Sequence, residues 1–197
     1  MIEDPILRRT AIYVAEYLKA RLPSTMYFHG THHTHMVVRA VRIIGKAGGY
    51  SEQELLVPIL AAFFHDTGYA MRYLGHEEAS AEMALGFLQK EGLAEHVVQY
   101  IARLILSTRF PQYPTDEMEM ILCDADLYHL SLPGYLDCAL MLKKEWAHHL
   151  GQAYSDQEWN AKNLQMLTTH QYFTDYGKQV LQQAKQGNID RLIALIP

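Results

Sequence analysis

Leu55-Leu56-Val57-Pro58-Ile59-Leu60-Ala61-Ala62-Phe63-Phe64-His65-Asp66-Thr67-Gly68 is apolar on nearly every side of a helix until it meets an imidazole and a carboxylate. A helix without a polar face belongs in an interior. The stretch Leu55 to Phe64 therefore predicts the central buried helix. Gly68 is a natural stop. His65 and Asp66 then sit at the inner end of that helix, where polar groups need hydrogen-bond partners or a metal. Ahead of it, Ser51-Glu52-Gln53-Glu54 has capping-box spacing and is expected to open the helix.

The pattern on either side is also helical. Asp4-Pro5 reads as a helix start, with proline at the first helical position. Ile6, Ile12, Val14, Tyr17 and Leu18 give a partly amphipathic helix that ends before Pro23. A loop follows, then Val37, Val38, Val41, Ile44 and Gly45 share one face of a helix from His33 to Ala47, closed by Gly48-Gly49. Downstream, helices are expected over 77–91 and 95–106, and Phe110-Pro111-Gln112-Tyr113-Pro114 breaks the chain. A short helix starts near Asp116 and runs into Ile121-Leu122-Cys123-Asp124-Ala125-Asp126. Pro133 opens another that reaches Leu150, and Ser155 with Glu158 repeats the capping-box spacing for a helix to about Gln171. A stretch over 174–186 and a short one over 189–195 complete the chain. No period-2 strand pattern, repeat, low-complexity tract or linker interrupts this, so the fold class is all-α, a single-domain helical bundle over 1–197.

The 197 residues are long enough for one sizeable core, and 49% apolar with 20% charged residues is a globular composition. No apolar run nears the roughly 20 residues of a membrane span. Met1-Ile2-Glu3-Asp4-Pro5 lacks the basic-then-apolar pattern of a signal peptide. Two cysteines, Cys123 and Cys138, are too few for a disulfide framework and read as small buried residues in a reducing compartment. A cytoplasmic location is expected. The net charge of −5 excludes a broad nucleic-acid footprint but leaves room for a small phosphorylated substrate, whose charge a metal and one or two cations would meet. A homo-oligomer is left open.

Chemistry concentrates in three clusters. Four of the eleven histidines, His29, His32, His33 and His35, fall within seven residues; His65-Asp66 and Asp124-Ala125-Asp126 follow. Two neutral imidazoles with two carboxylates carry two negative charges, which a divalent cation neutralises. Such N/O ligation suits Mn²⁺, Fe²⁺, Ni²⁺, Co²⁺ or Zn²⁺, with Mg²⁺ also compatible, and leaves coordination positions for water.

The order His … His-Asp … Asp resembles the HD-domain superfamily of metal-dependent phosphohydrolases, over Tyr27 to at least Leu130. The blocks are His29-Gly30-Thr31-His32-His33-Thr34, Phe64-His65-Asp66-Thr67-Gly68-Tyr69 and Ala125-Asp126-Leu127. The resemblance implies an HD-type core over about 27–130 with the helices of 133–197 packing on it. It implies metal ligation by His33, His65, Asp66 and Asp126, with Asp124 supporting a ligand and His32 and His35 as bystanders. By the same resemblance His29 protonates the leaving oxygen, a role suited to imidazole near neutral pH, and Asp66 is catalytic as well as ligating. His76, in His76-Glu77-Glu78-Ala79-Ser80, faces the cleft by the same resemblance and meets substrate phosphate or a second metal. Two-metal members carry a histidine where this chain reads Leu106-Ser107-Thr108-Arg109, which favours one metal and offers Thr108 and Arg109 as phosphate contacts. Arg72, Lys143 and Lys144 are looser candidates. His129, His148, His149 and His170 read as structural, and Tyr69 and Tyr73 as core packing more than base-stacking groups. The expected activity is hydrolysis of a nucleotide or related small phosphate ester by a metal-activated water. The alternatives are a nucleotide-sensing domain without turnover and a diiron oxygenase on the same scaffold.

Overall fold

The computed structural model describes residues 4–196, and among them the regular structure is helical with no strand. Met1, Ile2 and Glu3, the start of the segment read for a signal peptide, lie outside the described residues. Helix α1 (Pro5–Arg21) opens as expected: the Asp4 side chain accepts the Ile6 N–H at 3.0 Å. Helix α2 spans Thr31–Ala47. Helix α3 (Leu56–Phe64) is the central element, with every residue from Pro58 to Phe64 buried. Around Ser51 the capping box forms, its N–H and Oγ reaching Glu54 Oε2 at 2.8 and 2.6 Å. Regular helix nevertheless begins only at Leu56. Pro58 has no N–H to give the Glu54 carbonyl, and the first such bond into the helix is Ile59 N–H to Leu55 O at 3.0 Å.

Helices α4 (His76–Lys90), α5 (Glu95–Ser107) and α6 (Glu117–Asp126) follow. Helix α3 packs against α1, α2, α5 and α6. Val37, Val41, Ile59, Leu60, Phe64 and Ile101 have no measurable exposure there. Burying each such side chain is worth about 1.5–3 kcal/mol, so this enclosure is what holds the end of α3, and His65-Asp66 with it, in place.

Helices α7 (Tyr135–His149), α8 (Asp156–Thr169) and α9 (Gln182–Leu195) form a second, smaller core around Leu130, Tyr135, Ala139, Leu167, Ile189 and Leu192. Helix α7 starts two residues beyond Pro133, because Tyr135 N–H closes a turn onto Leu132 O at 3.0 Å. The capping box at Ser155 and Glu158 opens α8, which ends two residues before Gln171 as His170 turns extended. The C-terminal stretch is one continuous run instead of two helices: a π-turn over Gly177–Leu181 leads into α9, which passes through Gly187. A mid-helix glycine costs about 1 kcal/mol. Here Asn188 Nδ2 donates to both Leu130 O and Leu132 O at 2.8 Å, and Ile189 and Leu192 are buried, which outweighs that cost. Among the described residues no helix is long and apolar enough to cross a membrane.

Candidate metal centre and its cavity

Three chain segments deliver the sequence-predicted ligands to one point. His65 caps α3, and its Nδ1 donates to Ala62 O at 2.8 Å, which turns Nε2 toward the cluster. Thr67 Oγ1 donates to Phe64 O at 2.8 Å and closes the same helix end. Gly68 follows because nothing larger fits: a Cβ there would lie 2.0 Å from His76 O, so the chain passes flush against the start of α4. His33 lies in the first turn of α2, and Asp126 is the last residue of α6.

The ligand atoms are close-set. His33 Nε2 lies 3.3 Å from His65 Nε2, 3.3 Å from Asp66 Oδ2 and 3.2 Å from Asp126 Oδ1. His65 Nε2 lies 3.2 Å from Asp66 Oδ2 and 3.5 Å from Asp126 Oδ1. Bonds of about 2.1 Å to one cation put neighbouring ligand atoms roughly 3.0–3.4 Å apart. The observed spacing is that of the edges of one coordination shell. Asp66 Oδ2 makes no hydrogen bond although it is buried, so its lone pairs converge on the same point as the imidazoles without being satisfied there. His33, His65 and Asp66 form a cluster able to hold an ion, and they are themselves buried. The residues present fit a divalent cation.

The electrostatics agree. Burial works against a charged His65, but Asp66 and Asp126 outweigh it and hold its pKa well above the ordinary imidazole value. Burial likewise opposes ionised Asp66 and Asp126, yet the imidazoles keep both below the usual carboxylate range. Two ionised carboxylates thus hold a positive charge in their midst, and a proton on His65 answers the same demand a metal would.

His29 stands beside this cluster on a partner that sequence spacing does not reveal. Glu145, on α7 and fully buried, pairs with His29 Nδ1 at 2.5 Å and accepts the Phe28 and His29 N–H groups at 2.7 and 3.1 Å. Tyr73 Oη donates to it at 3.2 Å. Burial lowers the His29 pKa, but the Glu145 bond together with the charges of Asp66, Glu145 and Asp126 outweighs it, and the net shift is upward. No local motif marks Glu145; the sole hint in the sequence is an acid on an otherwise basic stretch of helix. Tyr69 is stacked between His29 (4.4 Å between ring centroids) and His76 (3.7 Å), so both its faces are occupied by protein. His76 Nε2 lies 3.6 Å from Asp66 Oδ1. His129 donates from Nδ1 to Asp126 O at 3.2 Å, and burial followed by repulsion from His33 pushes its pKa down to about 3. It is a neutral wall of the site.

Thr108 and Arg109 are not brought to the site. Thr108 Oγ1 turns back to Ile105 O at 2.7 Å, and Arg109 pairs with Glu78 at the surface. Asp124 supports no ligand: it accepts Phe173 N–H, Thr174 N–H and Thr174 Oγ1 at 2.8, 2.9 and 2.6 Å, tying down the start of the C-terminal run. Gly177 makes room for it, since a Cβ there would lie 2.3 Å from Asp124 Oδ2. His32 and His35 are exposed on α2. Cys123 is buried, whereas Cys138 is half-buried and lines the cavity.

That cavity, of about 620 Å³, opens beside the cluster; His29, His76, Asp126 and His129 make part of its wall, and α7 and α8 supply much of the remainder.

The HD domain family model matches residues 30–131, half of the chain, and spans His33, His65, Asp66 and Asp126. The chain belongs to the HD domain family. Its fold is also that of solved structures at low identity. A predicted HD superfamily hydrolase from an uncultured Thermotogales bacterium is 20% identical, with TM-score 0.66 and coverage of 97% of this chain and 91% of that one. Bacillus subtilis YpgQ, solved in complex with ADP, is 17% identical, with TM-score 0.64 and coverage of 97% and 98%. A Lactobacillus plantarum protein is 17% identical, with TM-score 0.67 and coverage of 99% and 98%. Among curated proteins none matches the sequence.

Proposed function

We propose that the protein is a metal-dependent phosphohydrolase acting on a small phosphate ester, with one divalent transition metal held by His33, His65, Asp66 and Asp126. The observation that carries this reading is the convergence of two imidazoles and two carboxylates, from three chain segments, at coordination-shell spacing. A cation bound there supplies Lewis acidity toward a phosphoryl oxygen and acidifies a water. The rest falls to the chain. Hydrolysis forms a bond from a water oxygen to phosphorus and breaks the ester P–O bond, and the departing oxygen needs a proton. His29 gives it: its Nδ1–H is tied to Glu145, and that carboxylate favours the imidazolium. The proton released by the attacking water restores His29 for the next cycle. His76, 3.6 Å from Asp66, steadies the phosphate from the cavity side.

The ADP complex of the YpgQ neighbour brings nucleotides into the screen that tests this. Phosphate release is measured from nucleotides, sugar phosphates and simple esters with Mn²⁺, Co²⁺, Ni²⁺ and Mg²⁺, on protein whose metal content is assayed. Asp66→Ala is expected to lose both metal and turnover, more than the roughly 10–100-fold affinity loss that follows removal of a ligand's outer partner. Full activity in a metal-free Asp66→Ala protein would sink the proposal.

A further inference from the structure

The cavity is unlike a polyphosphate site. Its deep walls come from Leu130, Tyr135, Leu142, Trp146, Trp159 and Met166. Two large apolar side chains on its lining, Leu74 and Phe110, are 74% and 63% exposed. Three of the polar side chains deepest in its lining are already spent within the protein. Tyr135 Oη donates to Asn163 Oδ1 at 2.5 Å, and Asn163 Nδ2 donates to Trp159 O at 2.7 Å. Trp159 Nε1 donates to Ala139 O at 3.0 Å. A hydroxylated or amide-bearing ligand seated here would give up its water for few partners, which costs about 1–3 kcal/mol for each group left unpaired.

The charges point the same way. Asp126 and Glu77 line the cavity, with Asp66 and Glu145 just behind His76 and His29. Among the described residues the one lysine or arginine on its lining is Lys162, exposed and lying 5.5 Å over the Trp146 ring. Nearby cations are committed elsewhere: Arg109 to Glu78, Lys143 to Asp156, and Arg72 Nε to Gly75 O. One metal and His29 answer the charge of one phosphate. A second phosphate would meet carboxylates and indole.

We propose that the organic part of the phosphate ester is apolar and uncharged and carries no further phosphate. This rests on the phosphohydrolase reading above and narrows its substrate.

The test compares ethyl phosphate, hexyl phosphate, ribose 5-phosphate and adenosine diphosphate as substrates of the metal-loaded protein, by phosphate release. Ethyl and hexyl esters share the same leaving-group chemistry, so their ratio reports the walls. Four added methylenes are expected to raise kcat/KM about tenfold or more, and hexyl phosphate should exceed both the sugar phosphate and the diphosphate. Leu142→Gln, which makes one wall polar, should lower the hexyl-to-ethyl ratio several-fold. A flat hexyl-to-ethyl ratio, or faster turnover of ribose 5-phosphate or adenosine diphosphate than of hexyl phosphate, overturns this inference and leaves the hydrolase standing. Absence of phosphate release from every ester with every metal overturns the hydrolase reading, and this inference with it.

Discussion

The helices before Asp126 and those after Pro133 meet at one centre but are held together in different ways. Around α3 the interior is mostly hydrocarbon: Val37, Ile59, Phe64 and Ile101 have no measurable exposure, and His33, His65, Asp66 and Asp126 hang from the ends of the packed helices. Around α7 to α9 the interior is laced with polar side chains. Glu145, Asn163, Lys185 and Asn188 are all at most 7% exposed, each held by hydrogen bonds to backbone or neighbouring side chains. Apolar packing is indifferent to chemistry and makes a stiff mount for a metal centre. A buried polar network is demanding and selective. The first region carries the charge-bearing cluster, and the second sets His29 and the walls around it. Glu145 joins them, crossing from α7 to the loop before α2.

Cutting that link separates the two roles. Glu145→Gln keeps the side-chain shape but removes the carboxylate that raises the His29 pKa. We expect metal content to stay at its original level while kcat falls by about 10²–10³, within the range of a lost general acid. The pH profile supplies the sign. Burial lowers the His29 pKa and Glu145 raises it, with a net upward shift, so the protonated donor persists to higher pH in the original protein. In the variant that pKa falls, and the alkaline limb of kcat moves to lower pH. Loss of metal from Glu145→Gln, or an unmoved alkaline limb, would show that the second region builds the centre instead of serving it.

The same contrast explains what was legible beforehand. Helix α3, its burial and the convergence of His33, His65, Asp66 and Asp126 could be read because apolar periodicity and ligand chemistry leave local marks. The helix start at Leu56 could not, because the capping box at Ser51 is real but Pro58 withholds one bond two turns later. The two-helix reading of the C-terminus failed at Gly187, where bonds from Asn188 to Leu130 and Leu132 override local propensity. Arg109 was a reasonable phosphate contact by charge alone, until its pairing with Glu78 is seen. Glu145 stayed hidden because its meaning lies wholly in partners 116 and 117 residues away. Polar networks are written in pairs distant along the chain, and one sequence shows only half of each pair.

Asp124 and Asp126, adjacent but one in the sequence, sharpen the comparison further. Asp126 faces the cluster, whereas Asp124 holds the Phe173–Thr174 turn. Asp124→Ala strips two backbone N–H groups of their acceptor in a half-buried place, at a cost of about 1–3 kcal/mol. Thermal denaturation should show a Tm lower by roughly 2–10 °C, with metal content per folded chain unchanged. Metal loss in that variant, at full helical content, would assign Asp124 to the centre after all.

The smallest effect is expected from Lys185, a cation with no carboxylate beside it among the described residues. Its Nζ donates to His170 O at 2.5 Å and lies 5.4 Å over the Tyr172 ring. Burial pushes its pKa down from 10.5 to about 8. A depressed amine favours the folded state only once its proton is gone. Between about pH 8 and 10.5 the unfolded chain still binds the proton that the folded chain has released, so stability rises with pH through that window. Below it the penalty is complete and constant. Tyrosines and cysteines also titrate at the alkaline end, so the informative quantity is a difference: urea midpoints of the original protein minus those of Lys185→Met, from pH 7 to about 9.5. That difference should climb across the window, since methionine has no proton to lose. Parallel curves would mean that the Lys185 ammonium is as well solvated folded as unfolded.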